Sequence, residues 1–210
     1  MQNDNLKQEK PAAHKGRPRE FDTEEALDKA LHVFWRKGYE GTSLSDLTDA
    51  MGISRPSLYA AFGNKEELFR LALDRYAEHG PGAIQRQALS EPTARRVVER
   101  LLRGVAETLT DPCNPRGCLA VQGALSCGEA AEQVKAELCS RRSKSEAALA
   151  ERFERARQEG DLGKAVNPAA LARFVVTITQ GMSVQAAGGA SRTDLLAVAD
   201  MALLAWPSSA

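Results

Sequence analysis

The amino-acid sequence predicts an all-α protein with a small N-terminal helical domain and a larger C-terminal helical domain. Apolar residues recur at spacings of three and four from residue 22 to about residue 206, and no stretch shows the alternation of a strand. Capping residues precede several of these periodic stretches. With 210 residues, 43% of them hydrophobic, the chain is long enough for two cores.

Composition excludes several classes of protein. The 28 basic and 28 acidic residues give zero formal net charge, so any surface that binds nucleic acid has to be local. No apolar run approaches the roughly 20 residues of a membrane helix, and the N-terminus MQNDNLKQEK lacks the apolar core of a signal peptide. We therefore expect a cytoplasmic protein that does not enter a membrane.

The four cysteines are expected to remain thiols in such a compartment. Their spacings lack the paired CxxC pattern of a zinc site, so no metal and no other cofactor is expected. The cysteines are Cys113, Cys118, Cys127 and Cys139.

Residues 1–20 are predicted to form a flexible basic arm. They carry Pro11, Gly16 and Pro18 and show no hydrophobic period. Between residues 7 and 19 there are five basic side chains and one acidic side chain. The arm therefore concentrates positive charge beside the first domain, which we place at residues 21–80.

The first domain begins with a helix that Asp22 and Glu25 start and Gly38 ends. A short second helix follows, with Ser43 as its cap, and it ends at Met51.

Two more helices complete this domain. Ser54 caps the third, and Pro56 is tolerated because it lies in the first turn. Asn64, with Glu67 three residues later, starts a fourth helix that ends near Gly80.

Residues 81–210 are assigned to the larger domain. Its helices are interrupted by DPCNPRG at 111–117 and by GDLGKAVN at 160–167. The helix that starts at Asn167 and Pro168 is apolar nearly all round through Ala187, so it has to be covered on several sides. A last helix runs from about Thr193 to Trp206.

The second and third helices, joined by a turn that contains glycine, predict a helix-turn-helix whose second helix reads DNA. Leu58 and Phe62, four residues apart, anchor that helix to the core, while Arg55, Ser57 and Tyr59 lie on other faces. Arginine donates to guanine edges or phosphates, and the hydroxyls donate to phosphates. The alternative for each residue alone is an ordinary solvated helix face.

Lys65 stands at the start of the fourth helix, where a positive side chain is unfavourable against the helix dipole. A DNA phosphate between the lysine and the helix end would remove that conflict. Lys65 is therefore expected to belong to the same DNA-binding face.

Residues 22–70 resemble the N-terminal DNA-binding domain of the TetR family of transcriptional regulators. The resemblance implies that Arg17 or Arg19 of the arm enters a minor groove. It departs at positions 56, 57, 60 and 61, which places more of the base reading on Arg55, Ser57 and the arm. The residues that carry the resemblance are Gly52, Ser54, Leu58, Tyr59, Phe62, Lys65 and Glu66. The residues that it places against DNA are Thr42, Ser43, Arg55, Ser57, Tyr59 and Lys65.

The resemblance also implies that the larger domain binds a small molecule and forms a homodimer through its last two long helices. The apolar helix at 168–187, with small residues that allow close approach, fits such an interface. The alternative is a buried core helix of a monomer. Two-fold symmetry would set two recognition helices about 34 Å apart, or somewhat farther, on double-stranded DNA with a palindromic operator.

The small-molecule effector is expected to be neutral or apolar, because this region has few aromatic residues and no histidine. For each residue assigned to the ligand pocket, the alternative is plain core packing. The assigned residues are Leu119, Gln122, Leu125, Phe174, Ile178 and Met182.

Cysteine chemistry offers a second kind of signal. Cys113 lies in a predicted loop beside Arg116, where a thiolate would be stabilised, and Cys118 and Cys127 are nine apart, which disfavours a bond between them on one straight helix. Cys113 and Cys118 are thus candidates for sensing oxidants or electrophiles, against the alternative of inert thiols.

The sequence therefore predicts a sequence-specific DNA-binding regulator, a ligand-responsive repressor or, alternatively, a thiol-based sensor of the same fold. An enzyme built on a helical bundle finds little support, because His14, His32 and His79 lie in the arm or on scaffold helices. A helical adaptor that binds only protein would leave the arm and Tyr59 without a purpose.

Overall fold

The computed structural model describes residues 21–125 and 131–207, apart from the side chains of Pro81, Ala124 and Leu125. Within these ranges the protein is entirely α-helical and forms no strand, which confirms the predicted fold class. No helix in the same ranges is long and apolar enough to cross a membrane. The helices are α1 Thr23–Lys37, α2 Leu44–Met51, α3 Arg55–Phe62, α4 Lys65–His79, α5 Pro81–Leu89, α6 Ala94–Leu109, α7 Leu119–Leu125, α8 Glu132–Gln158, α9 Pro168–Ala187 and α10 Arg192–Leu204.

Local side chains start the helices of the N-terminal region as the sequence predicts. The Asp22 carboxylate accepts hydrogen bonds from the first turn of α1, and Ser43 and Asn64 form capping boxes on α2 and α4. Gly52 ends α2 with φ 70° and ψ 30°, a left-handed conformation that glycine adopts without strain.

Helix α5 lies in a stretch to which no separate helix was assigned. Gly80 is both the C-cap of α4 and the N-cap of α5, and no side chain caps the N-terminus of α5. The chain therefore turns into α5 without the polar start signal that marks α1 to α4.

Buried side chains form two cores. Phe34 and Phe69, each at most 1% exposed, lie at the centre of the first and pack edge to face with ring centroids 5.0 Å apart. Phe153, fully buried, lies in the second core among α6, α8, α9 and α10. Burying one such ring contributes about 1.5–3 kcal/mol.

The two cores are in contact through α7 and the beginning of α8. Leu119, Val134 and Leu138 belong to the same buried cluster as α1 to α4. The indole N–H of Trp35 in α1 donates to the carbonyl of Gly117 at 2.8 Å. The segment before α7 is therefore bonded directly to α1. The division into domains at residue 80 stays a prediction.

Candidate DNA-binding surface and internal cavity

Helices α2 and α3 form a helix-turn-helix with a clear division between inner and outer faces. Leu47, Leu58 and Phe62 are at most 7% exposed and fix both helices to the first core. On the outer face of α3, Arg55 is exposed and Tyr59 is 48% exposed. The anchors and the outward residues follow the predicted division.

Neighbouring hydroxyls hold the polar side chains of α3. The Arg55 guanidinium donates to Oγ of Ser45 in α2 at 2.8 Å, which orients it across the two helices. Ser57, half-buried, lies with its hydroxyl 2.9 Å from that of Ser54, the residue that caps α3. Ser45 was not predicted to belong to this face, although it lies in the first turn of α2.

Lys65 begins α4 with its ammonium 4.5 Å from the centroid of the Tyr39 ring. Burial lowers the pKa of Lys65 below its usual value. The ring thus holds the lysine at the α4 N-terminus, where backbone N–H groups attract anions.

Two further predicted contacts lie just before α2. Ser43 is exposed, and its hydroxyl and backbone N–H are engaged by Asp46 in the capping box. The pKa of Asp46 falls to about 2 because Lys37 and Ser43 donate hydrogen bonds to the carboxylate. The single hydroxyl proton of Ser43 is donated to Asp46, and contact between Ser43 and DNA stays a prediction.

Thr42 differs from the prediction. Its side chain is 1% exposed, and its hydroxyl donates to the carbonyl of Gly38 at 2.6 Å. A side chain enclosed in this way cannot reach a phosphate, so Thr42 closes the turn between α1 and α2 instead. Arg17 and Arg19, the predicted arm contacts, lie outside the described residues.

A cavity of about 440 Å³ lies where the two cores meet, within the range of small-molecule sites. Its walls come from α4, α5, α6, α7, α8 and α9, so it contacts both the N-terminal region and the larger domain. The side chains and backbone that line it belong to Leu73, Tyr76, Ala77, Gly82, Gln85, Arg86, Leu89, Leu101, Val105, Leu109, Cys118, Ala120, Val121, Arg141, Arg142, Lys144, Ser145, Ala148, Leu149, Val176, Thr179, Gln180 and Ser183.

None of the five assigned pocket residues whose side chains are described lines this cavity. Leu119 and Met182, each 1% exposed, are core residues, and Ile178 packs against the second core. Phe174 is 44% exposed, and Gln122 lies close against Gly117. Helices α7 and α9 do contribute to the cavity wall, but through other residues than the predicted ones.

Leu125 ends α7, and its side chain lies outside the described part of the chain.

Cys118 lines the cavity at the junction of the two cores. Its backbone N–H donates to Oγ of Ser183 in α9 at 2.8 Å. Beside it lies the Tyr76 hydroxyl, which is buried and meets hydrogen-bond distance and angle limits with no described residue, although the Cys118 thiol and the Leu119 backbone are its near neighbours. Burial raises the pKa of Tyr76 well above its usual value, so this phenol stays neutral.

The other cysteines are placed differently. Cys113 is exposed in the loop before α7, but the Arg116 guanidinium is directed to the carbonyl of Ala190. Cys118 precedes α7 and is not inside it, which removes the assumption of one straight helix, and Cys127 lies outside the described residues. Cys113, Cys118 and Cys139 are all free thiols.

No cluster of three or more histidine, cysteine or acidic side chains suited to a metal occurs in the described ranges.

The chain matches two family models. Residues 26–72 match the bacterial regulatory proteins of the tetR family, and residues 94–195 match the tetracyclin repressor-like C-terminal domain. The first covers the helix-turn-helix, and the second covers the helices that enclose most of the cavity.

Similarity to individual regulators agrees with the family-model matches. The chain is 34% identical over 194 residues to the HTH-type transcriptional repressor ComR of Escherichia coli K12, with 92% of each chain covered. It is 45% identical to the TetR family transcriptional regulator CifR, solved as a cysteine mutant with 26-bp double-stranded operator DNA; the TM-score is 0.87, covering 91% of this chain and all of that one. A TetR regulator from Rhodococcus sp. RHA1 is 42% identical, with a TM-score of 0.61, covering 89% of this chain and all of that one.

Helix geometry, family models and relatives therefore give one conclusion: the chain belongs to the TetR family of bacterial regulatory proteins and is a DNA-binding transcriptional regulator, not an enzyme.

Proposed function

We propose that this regulator is a homodimeric repressor that binds a palindromic operator and releases it when a small molecule enters the cavity. The observation that carries the proposal is the outer face of α3, where exposed Arg55 and Tyr59 stand on a helix fixed by Leu58 and Phe62. ComR is named a repressor, and CifR was solved on operator DNA. A repressor acts on chromosomal DNA, which places this protein in the cytoplasm.

Exposed apolar side chains on α9 and α10 support the homodimer. Met201 is 66% exposed and Leu204 is 79% exposed, although both lie in α10, which also supplies the second core. A stable interface needs about 800 Å² from each partner, and two neighbouring helices can supply it. The large apolar residues exposed on these helices are Phe174, Val184, Val198, Met201 and Leu204.

The position of the cavity supports a response to a ligand. Leu73, Tyr76 and Ala77 of α4 form part of its wall, and two residues separate the end of α3 from the start of α4. A ligand that displaces this wall would move α4 and with it the recognition helix, which changes the spacing of the two DNA-reading helices in a dimer.

A thiol response is a second candidate, because Cys118 lines this same cavity beside α4. Replacing Cys118 with Ser would abolish release of DNA by peroxide or a quinone if the thiol is the sensor. An unchanged response in that variant would assign sensing to another group.

Competition binding to the DNA upstream of the protein's own gene, across a salt series with excess unrelated DNA, tests the repressor. Tyr59→Ala should weaken binding to all sequences, whereas Arg55→Ala should relax base preference. Arg155→Ala, at an exposed arginine of α8 that pairs with Glu159, is the matched control and should bind as the wild type does. Unaltered binding by both α3 variants would contradict the assigned DNA face.

A further inference from the structure

Among the described residues, the charged side chains that line the cavity all have the same sign. Four of them are cationic, and no described carboxylate belongs to the lining. They lie on α5 and α8, while apolar residues of α4, α6 and α9 form much of the remaining wall. The cationic residues are Arg86, Arg141, Arg142 and Lys144.

Protein groups already bind two of these cations, one through carboxylates and the other through backbone carbonyls. Arg141 forms ion pairs with Asp74 and Glu137, at 2.7 Å each. Arg86 donates to the carbonyls of Ala77 and Glu78 at the end of α4.

The other two have no carboxylate partner among the described residues. Arg142 donates only to the Cys139 sulfur, at 3.3 Å, and the exposed Lys144 forms no ion pair there. Both lie at the cavity, so its α8 side carries positive charge that the protein leaves unbalanced. A planar guanidinium is well suited to a carboxylate.

The buried hydroxyl of Tyr76 adds a second, independent feature. Tyr76 belongs to the cavity lining, and its enclosed hydroxyl meets hydrogen-bond distance and angle limits with no described residue, although the Cys118 thiol and the Leu119 backbone lie beside it. Because the hydroxyl is enclosed, it can donate to a ligand's acceptor oxygen only after the wall around it moves. The cations on α8 are therefore the groups that a ligand in the cavity meets directly.

We propose that the cavity binds an organic carboxylate, with the apolar body against the walls from α4, α6 and α9 and the carboxylate toward Arg142 and Lys144. The inference rests on the proposed function in treating this cavity as the effector site. It keeps the apolar character expected from the sequence and replaces the neutral ligand by an anionic one. Straight-chain acids of about eight to twelve carbons and aryl-substituted acids both suit a space of this size.

Isothermal titration calorimetry on the full-length protein without DNA tests the ligand class. Each straight-chain or aryl-substituted acid is paired with the primary alcohol of the same skeleton, and we expect at least one acid to bind more than tenfold tighter than its alcohol. The series that binds, straight-chain or aryl-substituted, distinguishes a fatty acid from an aromatic acid. Alcohols that bind as tightly as their acids, or a failure of the acids of both series to bind, would overturn the proposal.

Matched double variants locate the charge. Arg142→Ala with Lys144→Ala should abolish the preference for the acid, while Arg155→Ala with Lys164→Ala removes the same charge away from the cavity and should leave it intact. Ala148→Phe, which fills part of the space, should weaken acid and alcohol together; circular dichroism verifies its fold. A preference that survives the first double variant would refute the assigned cations.

The operator assay then separates the two proposals. An acid that binds in calorimetry but leaves the operator complex intact supports the ligand class and refutes its role as effector. Failure to bind the operator at all would refute the repressor and leave the calorimetric result as it stands.

Discussion

The hydrogen bond from Cys118 to Ser183 makes a measurable prediction about the junction of the two cores. Ser183 is 1% exposed, and its Oγ accepts from the Cys118 backbone N–H at 2.8 Å. In Ser183→Ala that N–H loses its acceptor, and a buried unsatisfied group costs about 1–3 kcal/mol. Both residues line the cavity, so a water there can partly replace the hydroxyl, and we expect a loss of about 1–2 kcal/mol.

Urea denaturation followed by circular dichroism, at fixed protein concentration, measures this loss. With a slope of about 2 kcal/mol per molar urea, the midpoint should fall by about 0.5–1 M. Thr179→Val is the matched control, because its hydroxyl donates only to the Val176 carbonyl of its own helix. It should change stability by less than about 0.5 kcal/mol. Equal midpoints for Ser183→Ala and the control would refute the structural role of this bond.

Three further predictions concern acid stability, assembly and the turn before α2. The pKa of Asp46 in the folded protein is about 2 against an ordinary 3.8, so its contribution to stability is present above pH 3.8 and is lost as pH falls toward 2. Asp46→Asn should flatten this part of a pH series of melting temperatures, and an unchanged slope would contradict the assignment. Met201→Asp with Leu204→Asp should produce monomers in sedimentation and weaken operator binding, whereas an intact dimer would place the interface elsewhere. Thr42→Val should lower the free energy of unfolding by about 1 kcal/mol, because the Gly38 carbonyl loses its donor. A loss of DNA affinity at unchanged stability would instead return Thr42 to the DNA-binding residues.

The helix-turn-helix could be predicted in detail because its signals are local. Ser43, Ser54 and Asn64 cap helices through bonds to backbone groups two or three residues away. Leu58 and Phe62 are one helical turn apart, so their common direction follows from helix geometry alone.

The cavity could not be located in the same way. Helix α9 is apolar nearly all round, so its sequence does not tell which face meets the core, the solvent or an internal space. Phe174 and Met182 were both assigned to the pocket, yet one is exposed and the other is buried in the core. A visible signal was missed on α8, where Arg141, Arg142 and Lys144 precede the cavity residues Ser145 and Ala148 within two helical turns.

The sequence by itself determined the helices, their caps and the side chains that α3 turns outward, because each depends on residues only a few positions apart. Only the tertiary structure decided that Thr42 is enclosed and that cations of α8 face an apolar wall beside Tyr76. Those neighbours come from helices far apart in the chain. Their meeting depends on how whole helix faces pack, which the local pattern of residues does not encode.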